Sequence, residues 1–230
     1  MTRLNKKEQS ELKGLSKIIY IFATIGKICM YIAIPCIILT MIIVPIIINN
    51  TNITKDNNIV FKYQKDTIYM KDLGNNKVEI TYNDKVVDKD DSMDYKVFKK
   101  YRNTLQTYSK RQLIGYIEAG LILITTYLYL ISLVLKHLAK LFKNINEGAT
   151  PFTLDNVDHM SRMGRYMIAV IILPILASVL YSVVANIDLN IDFGFVDIIE
   201  VLFVLAMTIV FKYGYNIQEE VKSSIYSDKD

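Results

Sequence analysis

Two acidic residues inside long apolar stretches are the first candidates for chemistry in this sequence of 230 residues. Glu118 and Glu200 each lie about one and a half helical turns from the expected outer end of an apolar run. Because a carboxylate is costly inside a bilayer, an intramembrane acid is a functional hypothesis by default. The two could face one another as a pair that senses protons or cations. Their shallow depth also lets them reach headgroups or water, and both alternatives stay open.

An acidic cluster and two histidines are weaker candidates for metal binding. A calcium loop of the EF-hand type starting at Asp88 would need Gly and Glu where the sequence has Met93 and Lys99. A solvated turn before the next helix is therefore the favoured interpretation. His137 and His159 are not accompanied in the sequence by the further ligands that a metal site needs. With no nucleophile motif, no phosphate-binding glycine loop and no HExxH, we expect no catalytic residue, no metal and no cofactor.

Four apolar blocks must position these residues. The chain is 52% hydrophobic and 22% charged, and the apolar residues are concentrated in runs rather than spread periodically. The runs 28–48, 112–135, 166–185 and 193–211 are each close to the ~20 residues that a helical bilayer crossing needs. They lack the polar face that a soluble core helix shows at every turn. The sequence therefore predicts four transmembrane helices.

The distribution of basic residues predicts the orientation of these spans. Lysines and arginines gather before the first span and in the connector 136–165, whereas the short loop 186–192 has two aspartates and no base. Since short basic loops remain in the cytoplasm, both termini, the tail 212–230 and the connector are predicted to be cytoplasmic. A composition rich in Lys, Ile, Asn and Tyr suits an AT-rich bacterial genome, and hence a bacterial plasma membrane. The net charge of +4 is too small to imply nucleic acid as a partner.

The N-terminal segment 1–27 alternates charged and apolar residues. One interpretation is an amphipathic helix on anionic headgroups, and the other is a cytoplasmic extension of the first span. Cys29 and Cys36 lie seven residues apart on one predicted helix, so they cannot form a disulfide with each other.

The segment 49–111 is the one predicted extracytoplasmic piece large enough to fold. Runs of β-branched and aromatic residues predict strands at 59–63, 67–70, 77–82 and 85–87, joined by tight turns. An amphipathic helix follows, with an apolar stripe at helical spacing: Tyr95, Phe98, Tyr101, Leu105 and Tyr108. The absence of Pro and Gly before Gly115 allows this helix to continue into the second span. The expected fold is a mainly α membrane protein, a four-helix transmembrane bundle with a small β-meander plus helix inserted between spans 1 and 2.

The connector between spans 2 and 3 contains a rigid corner. Thr153 is a good helix N-cap, and Asp155 places a carboxylate near the positive end of the helix dipole. Phe152 and Val157 stand where a hydrophobic staple would pack, and Pro151 keeps the preceding chain extended. We therefore predict that a new helix begins just after Thr153.

Two segments resemble a bacterial four-span membrane family of unknown function, the DUF2975 family. The first is Gly148-Ala149-Thr150-Pro151-Phe152-Thr153-Leu154-Asp155-Asn156-Val157, followed by Met160, Arg162 and Gly164, and the second is Phe211-Lys212-Tyr213-Gly214 with Gln218 and Glu219. The chain departs from the family pattern at Ile209, where an acidic residue is common. The resemblance implies an integral membrane protein, often encoded beside a small helix-turn-helix regulator, without an established activity.

These observations lead to three hypotheses about function. The first is a non-enzymatic sensor or partner-binding protein, with an outer sensing module and a cytoplasmic docking face that binds a cytoplasmic regulator. The second is an immunity or accessory subunit of another membrane protein such as a transporter, and the third is a small ion or solute carrier that acts as an oligomer. We expect the two matched segments to pack together, and the candidate docking residues are Pro151, Phe152, Thr153, Asn156, Arg162, Tyr213, Gly214 and Gln218.

Overall fold

The fold is described by a computed structural model that covers residues 6–54, 58–74, 77–90, 93–147, 151–185 and 195–227. The helices within these residues are α1 (Lys6–Asn50), α2 (Met93–Thr107), α3 (Lys110–Asn146), α4 (Leu154–Ala185) and α5 (Phe195–Ser227). The strands are β1 (Thr51–Ile53), β2 (Ile59–Tyr63), β3 (Asp66–Gly74), β4 (Lys77–Tyr82) and β5 (Lys85–Asp90). The chain divides into two compact units, one of Met1–Pro35 with Leu123–Asp230 and one of Cys36–Ile122.

Within the described residues, α1, α3, α4 and α5 are long and apolar enough to cross a membrane. The prediction of four such helices is confirmed, and the chain has the helices of a multi-pass membrane protein. At 45 residues, α1 is longer than expected and continues without a break through the predicted boundary between residues 27 and 28. This continuity favours an extension of the first span over a separate surface helix. The loop 186–192 lies outside the described residues.

The strands form an antiparallel meander in the order β1-β2-β3-β4-β5. The short strand β1 was not predicted, and β3 and β5 are longer than expected. The loop between β4 and β5 consists of Asn83 and Asp84, whose positive φ angles of 47° and 65° are those of a type I′ hairpin turn. The side chain of Asn83 and the Tyr82 hydroxyl both donate hydrogen bonds to the Asp66 carboxylate, at 3.0 and 2.7 Å. These bonds hold the pKa of that carboxyl below its ordinary value.

The acidic cluster begins within a strand, and the solvated turn predicted before the next helix stays a prediction. Asp88 and Asp90 belong to β5, where Asp88 pairs with Ile80 and Asp90 pairs with Val78. The predicted caps of the following helix, residues 91 and 92, lie outside the described residues.

Helix α2 covers one part of the sheet, as the apolar stripe predicted. Phe98 is buried against Ile59 of β2 and Val78 of β4. The guanidinium of Arg102 forms a 3.0 Å ion pair with Asp72 of β3 and lies 5.4 Å from the Phe98 ring centre. A small sheet needs a partner surface to be stable, and α2 supplies it.

Helices α2 and α3 are separate, so the expectation of one continuous helix is wrong. The chain is interrupted at Tyr108 and Ser109, where a capping box starts α3. The Ser109 amide and hydroxyl donate to Gln112 Oε1, while the Gln112 amide donates to Ser109 Oγ. Lys110 then donates hydrogen bonds to the Asn49 carbonyl and to Asn52 Oδ1, at 2.9 and 3.0 Å. The start of α3 is thereby tied to the end of α1 and to β1.

The packing of α2 on the sheet predicts a strong effect of Phe98→Ala. Removing this buried ring leaves a cavity, and such truncations cost about 3–5 kcal/mol. We expect limited proteolysis of the full chain in detergent to cleave within residues 51–107 much faster than in the wild type. The control is Val97→Ala, because Val97 is 63% exposed on the same helix. Equal cleavage of the two variants would show that α2 does not protect the sheet.

Candidate functional site

Helix α4 begins as its capping signal predicted. The backbone amide of Asn156 donates a 3.2 Å hydrogen bond to Thr153 Oγ1, and the amide of Val157 donates a 3.0 Å bond to the Thr153 carbonyl. Asp155 lies in the first turn of the helix. The Thr153 side chain therefore satisfies one of the four amide groups that a helix leaves unpaired at its N-terminus, while its carbonyl accepts the first helical hydrogen bond, and the predicted N-cap is confirmed.

Asn156 holds this helix start against α3. Its side chain is fully buried, with Nδ2 donating to the Pro151 carbonyl at 3.1 Å. Its Oδ1 accepts a 3.0 Å hydrogen bond from Nδ2 of Asn144 on α3. Since a buried polar group is costly unless it is paired, these bonds fix the path of the chain around the corner. Asn144 was not predicted as a site residue, and its one signal was an amide side chain within the predicted connector 136–165.

Phe152 packs against the backbone of α5. Its ring meets the Phe211 ring edge to face, with centres 5.5 Å apart. On the same helix, a Cβ atom added at Gly214 would lie only 2.6–2.9 Å from three carbon atoms of the Phe152 ring. Only glycine therefore accommodates the ring at this position. The structure brings together the two segments that carry the family resemblance.

The ends of three helices share one small core at this place. Buried side chains come from α3, α4 and α5: Leu141, Met160, Met163 and Phe211. Phe152 and Val157, the predicted staple residues, both pack against this cluster. Farther along the α4–α5 interface, a Cβ at Gly164 would lie 3.1 Å from Leu205 Cδ2. We call the residues 151–157 and the facing stretch 211–218 of α5 the helix corner.

The candidate docking residues differ in exposure, and all except Arg162 lie in the helix corner. Asn156 is fully buried, so its side chain supports the corner from inside. Phe152, Thr153 and Gly214 are half-buried by the packing and capping described above, and Gln218 is also half-buried. Pro151, Arg162 and Tyr213 are exposed, and Arg162 forms a 2.8 Å ion pair with Asp158 one turn earlier.

Two histidines meet beside the helix corner. The Nδ1 atoms of His137 on α3 and His159 on α4 lie 3.3 Å apart. One ring must donate and the other accept, so at least one of them is neutral in this arrangement. The Tyr166 ring stacks on His137 with centres 5.7 Å apart. The sequence predicts both histidines near the cytoplasmic face, but no pattern in it indicates the contact between them.

The intramembrane carboxylates lie in different units. Glu118 is half-buried on α3, and Glu200 is exposed on α5. Their pairing stays a prediction. Within the described residues, no group of three or more His, Cys, Asp or Glu side chains is arranged to hold a metal ion.

The tight contact at Gly214 predicts that Gly214→Ala destabilises the protein. The new methyl group would overlap the root of the Phe152 ring, and overpacking of this kind costs about 1–3 kcal/mol. We expect a lower temperature at which half of the detergent-solubilised protein leaves the soluble fraction. The matched control is Gly14→Ala in α1, because a Cβ there meets nothing within 4 Å.

Adding Phe152→Leu to Gly214→Ala should restore part of the lost thermal stability, because the smaller side chain makes room for the new methyl group and the two residues are in contact. Equal stability of Gly214→Ala and Gly14→Ala would contradict the packing described here.

Comparison with known proteins places the chain in a family. No curated protein and no solved structure matches it. The family described as protein of unknown function (DUF2975) matches residues 82–225, which include α3, α4 and the helix corner. The match also covers β5 and α2, which the resemblance noted from the sequence did not include. The chain belongs to the DUF2975 family of proteins of unknown function.

Proposed function

We propose that this protein binds a cytoplasmic protein partner through the helix corner and carries no enzymatic activity. The observation that carries the proposal is an exposed aromatic side chain on a tightly packed support. Tyr213 is 68% exposed, although its neighbour Gly214 is locked against Phe152. Tyrosine is enriched at the energetic centres of protein interfaces because it offers a large contact area and a polar end.

Further apolar side chains extend this surface along α5. Ile217 and Val221 are exposed and follow Tyr213 at intervals of four residues, so the three side chains share one helix face. Lys212 and Glu219 are exposed on the same stretch. Since exposed charges are strongly disfavoured in hydrocarbon, this end of α5 belongs in water. An apolar helix face in water is typical of a site where another protein binds.

The support of this surface favours binding without large rearrangement. The Asn156 hydrogen bonds and the Phe152 contact hold the start of α4 and the end of α5 in fixed positions. A surface on a preorganised scaffold loses less conformational entropy when a partner binds. Leu154 and Pro151, both exposed next to Phe152, would form the rim of the docking surface.

The second part of the proposal gives the sheet an outer sensing role. The basic residues around the connector favour a cytoplasmic helix corner, and with this orientation the inserted sheet would lie outside the cell membrane. Tyr63 and Tyr82 are exposed on the sheet and supply aromatic surface for a ligand or an envelope component. A bacterial plasma membrane with both termini inside is the arrangement that we propose.

An accessory subunit of another membrane protein is the alternative function. The exposed Leu202 and Phe203 on the apolar part of α5 favour it, because they could pack against foreign transmembrane helices as well as against lipid. In that case the partner would contact the span rather than the helix corner.

The orientation can be tested by labelling single cysteines. In a background with Cys29→Ala and Cys36→Ala, we expect a membrane-impermeant maleimide to label Lys85→Cys on intact cells. Asn216→Cys should be labelled only after the cells are permeabilised. Both residues are exposed on the protein surface, so labelling depends on which side of the membrane each residue lies. Labelling of Asn216→Cys on intact cells would overturn the proposed orientation.

The docking surface can be tested by photocrosslinking in native membranes. A benzophenone amino acid at Ile217 should capture one soluble protein, and Tyr213→Asp should reduce its yield at least tenfold, because a buried charge without a partner is costly. Lys222→Asp is the control for added negative charge on the exposed part of α5. A benzophenone at Leu202 distinguishes the alternative, because an accessory subunit would capture a membrane protein there. No capture at Ile217, or capture insensitive to Tyr213→Asp, would contradict the docking surface.

A further inference from the structure

The first helix is much longer than a membrane crossing. At 1.5 Å per residue, the 45 residues of α1 extend about 67 Å, whereas the hydrocarbon core is about 30 Å thick. Even at a tilt of 40°, a crossing uses only about 26 residues. A large part of α1 must therefore lie outside the hydrocarbon.

The surplus lies at the N-terminal end of α1. The other end passes directly from Asn50 into β1, while the N-terminal part carries the exposed charges Glu11, Lys13 and Lys17. A Cβ at Gly26 would lie 3.1 Å from Leu135 Cδ1 on α3, one residue before the exposed Lys136. The Gly26–Leu135 contact and the positions of the charged residues both indicate that α1 leaves the hydrocarbon layer of the membrane near residue 26. The helix from residue 10 to about 25 is then in water.

This water-exposed part of α1 presents an apolar stripe. Leu15, Ile18, Phe22 and Ile25 are all more than half exposed, and Phe22 reaches 71%. Another face of α1 is already covered by the chain, since Ser16 and Ala23 are only 2–3% exposed. Four large apolar side chains on one helix face in water are typical of a surface that another protein segment buries.

The spacing of the stripe is that of a coiled coil. The intervals from Leu15 to Ile18, Phe22 and Ile25 are three, four and three residues, and they continue to Cys29 and Ile32, which are also exposed. These are the alternating a and d positions of a heptad, with Leu15, Phe22 and Cys29 at a. A repeat of 3.5 residues keeps such a stripe facing a partner helix over several turns.

We propose that this stripe pairs with the same stripe of a second copy, forming a parallel dimer about a two-fold axis normal to the membrane. Two copies inserted with the same orientation have parallel α1 helices, so each a or d residue faces its own counterpart. The charges permit this approach, because Lys13, Lys17 and Lys27 occupy f, c and f positions of the heptad. The flanking e and g positions from residue 14 to residue 28 carry no charge: Gly14, Ile19, Ile21, Gly26 and Ile28. From residue 14 to residue 28 no like-charge pair therefore opposes the contact, and Glu11, at the preceding d position, marks the N-terminal end of the stripe. The interface is independent of the docking surface on α5.

The free cysteines provide the test. With Cys36→Ala, Cys29 is the sole thiol, and copper phenanthroline applied to native membranes should convert most of the 26.5 kDa chain into a covalent dimer. In a cysteine-free background, single cysteines at residues 18 and 25 should crosslink strongly. Cysteines at the f position Lys27 and the c position Lys17 should crosslink at least fivefold less. Phe22→Glu should abolish the Cys29 crosslink, and Lys17→Glu should leave it unchanged.

Three results would overturn the dimer: no covalent dimer at any of these positions, equal crosslinking at heptad and non-heptad positions, or a Cys29 crosslink that survives Phe22→Glu. A spin label at residue 18 that collides with lipid-soluble oxygen, and not with a water-soluble nickel complex, would also overturn it, because lipid would then cover the stripe.

Discussion

The contact between the Phe152 ring and the Gly214 backbone is the constraint on which the helix corner depends. Phe152 precedes the N-cap of α4, and Gly214 lies three residues after Phe211 of the shared core, so one ring joins the start of one helix to the end of another. The Asn144–Asn156 hydrogen bond adds α3 to this arrangement. Three long helices thus have fixed ends outside their apolar segments, where lipid could not hold them in place.

The unit that contains the helix corner combines buried polar hydrogen bonds with exposed apolar side chains. Amide hydrogen bonds at the corner are directional, so they define one arrangement rather than many loosely packed ones. In contrast, the stripe on α5 from Tyr213 to Val221 and the stripe on α1 from Leu15 to Ile25 have no cover within the described chain. Apolar surface in these places gains stability by association, which supports our proposal that the protein binds partners.

The sheet and α2 are stabilised by a separate set of contacts. Their core of Ile59, Val78 and Phe98 is small, and the Arg102–Asp72 ion pair, partly shielded from water, adds a directional contact. The capping box at Ser109 stops α2 and restarts the chain as α3. The sheet and α2 therefore have a core of their own.

The sequence by itself determined the four apolar helices, most of the strands and the N-cap at Thr153, because these follow from local composition, periodicity and capping chemistry. It also pointed to the corner through residues that match a family. Only the tertiary structure decided which of these residues are buried: Asn156 and Phe152 turned inward, while Tyr213 stayed exposed. The sequence also left three further features undecided: the Asn144 hydrogen bond, the contact of His137 with His159, and the end of α2 before Ser109. Each depends on which side chains of distant segments meet, and local sequence patterns do not encode that pairing.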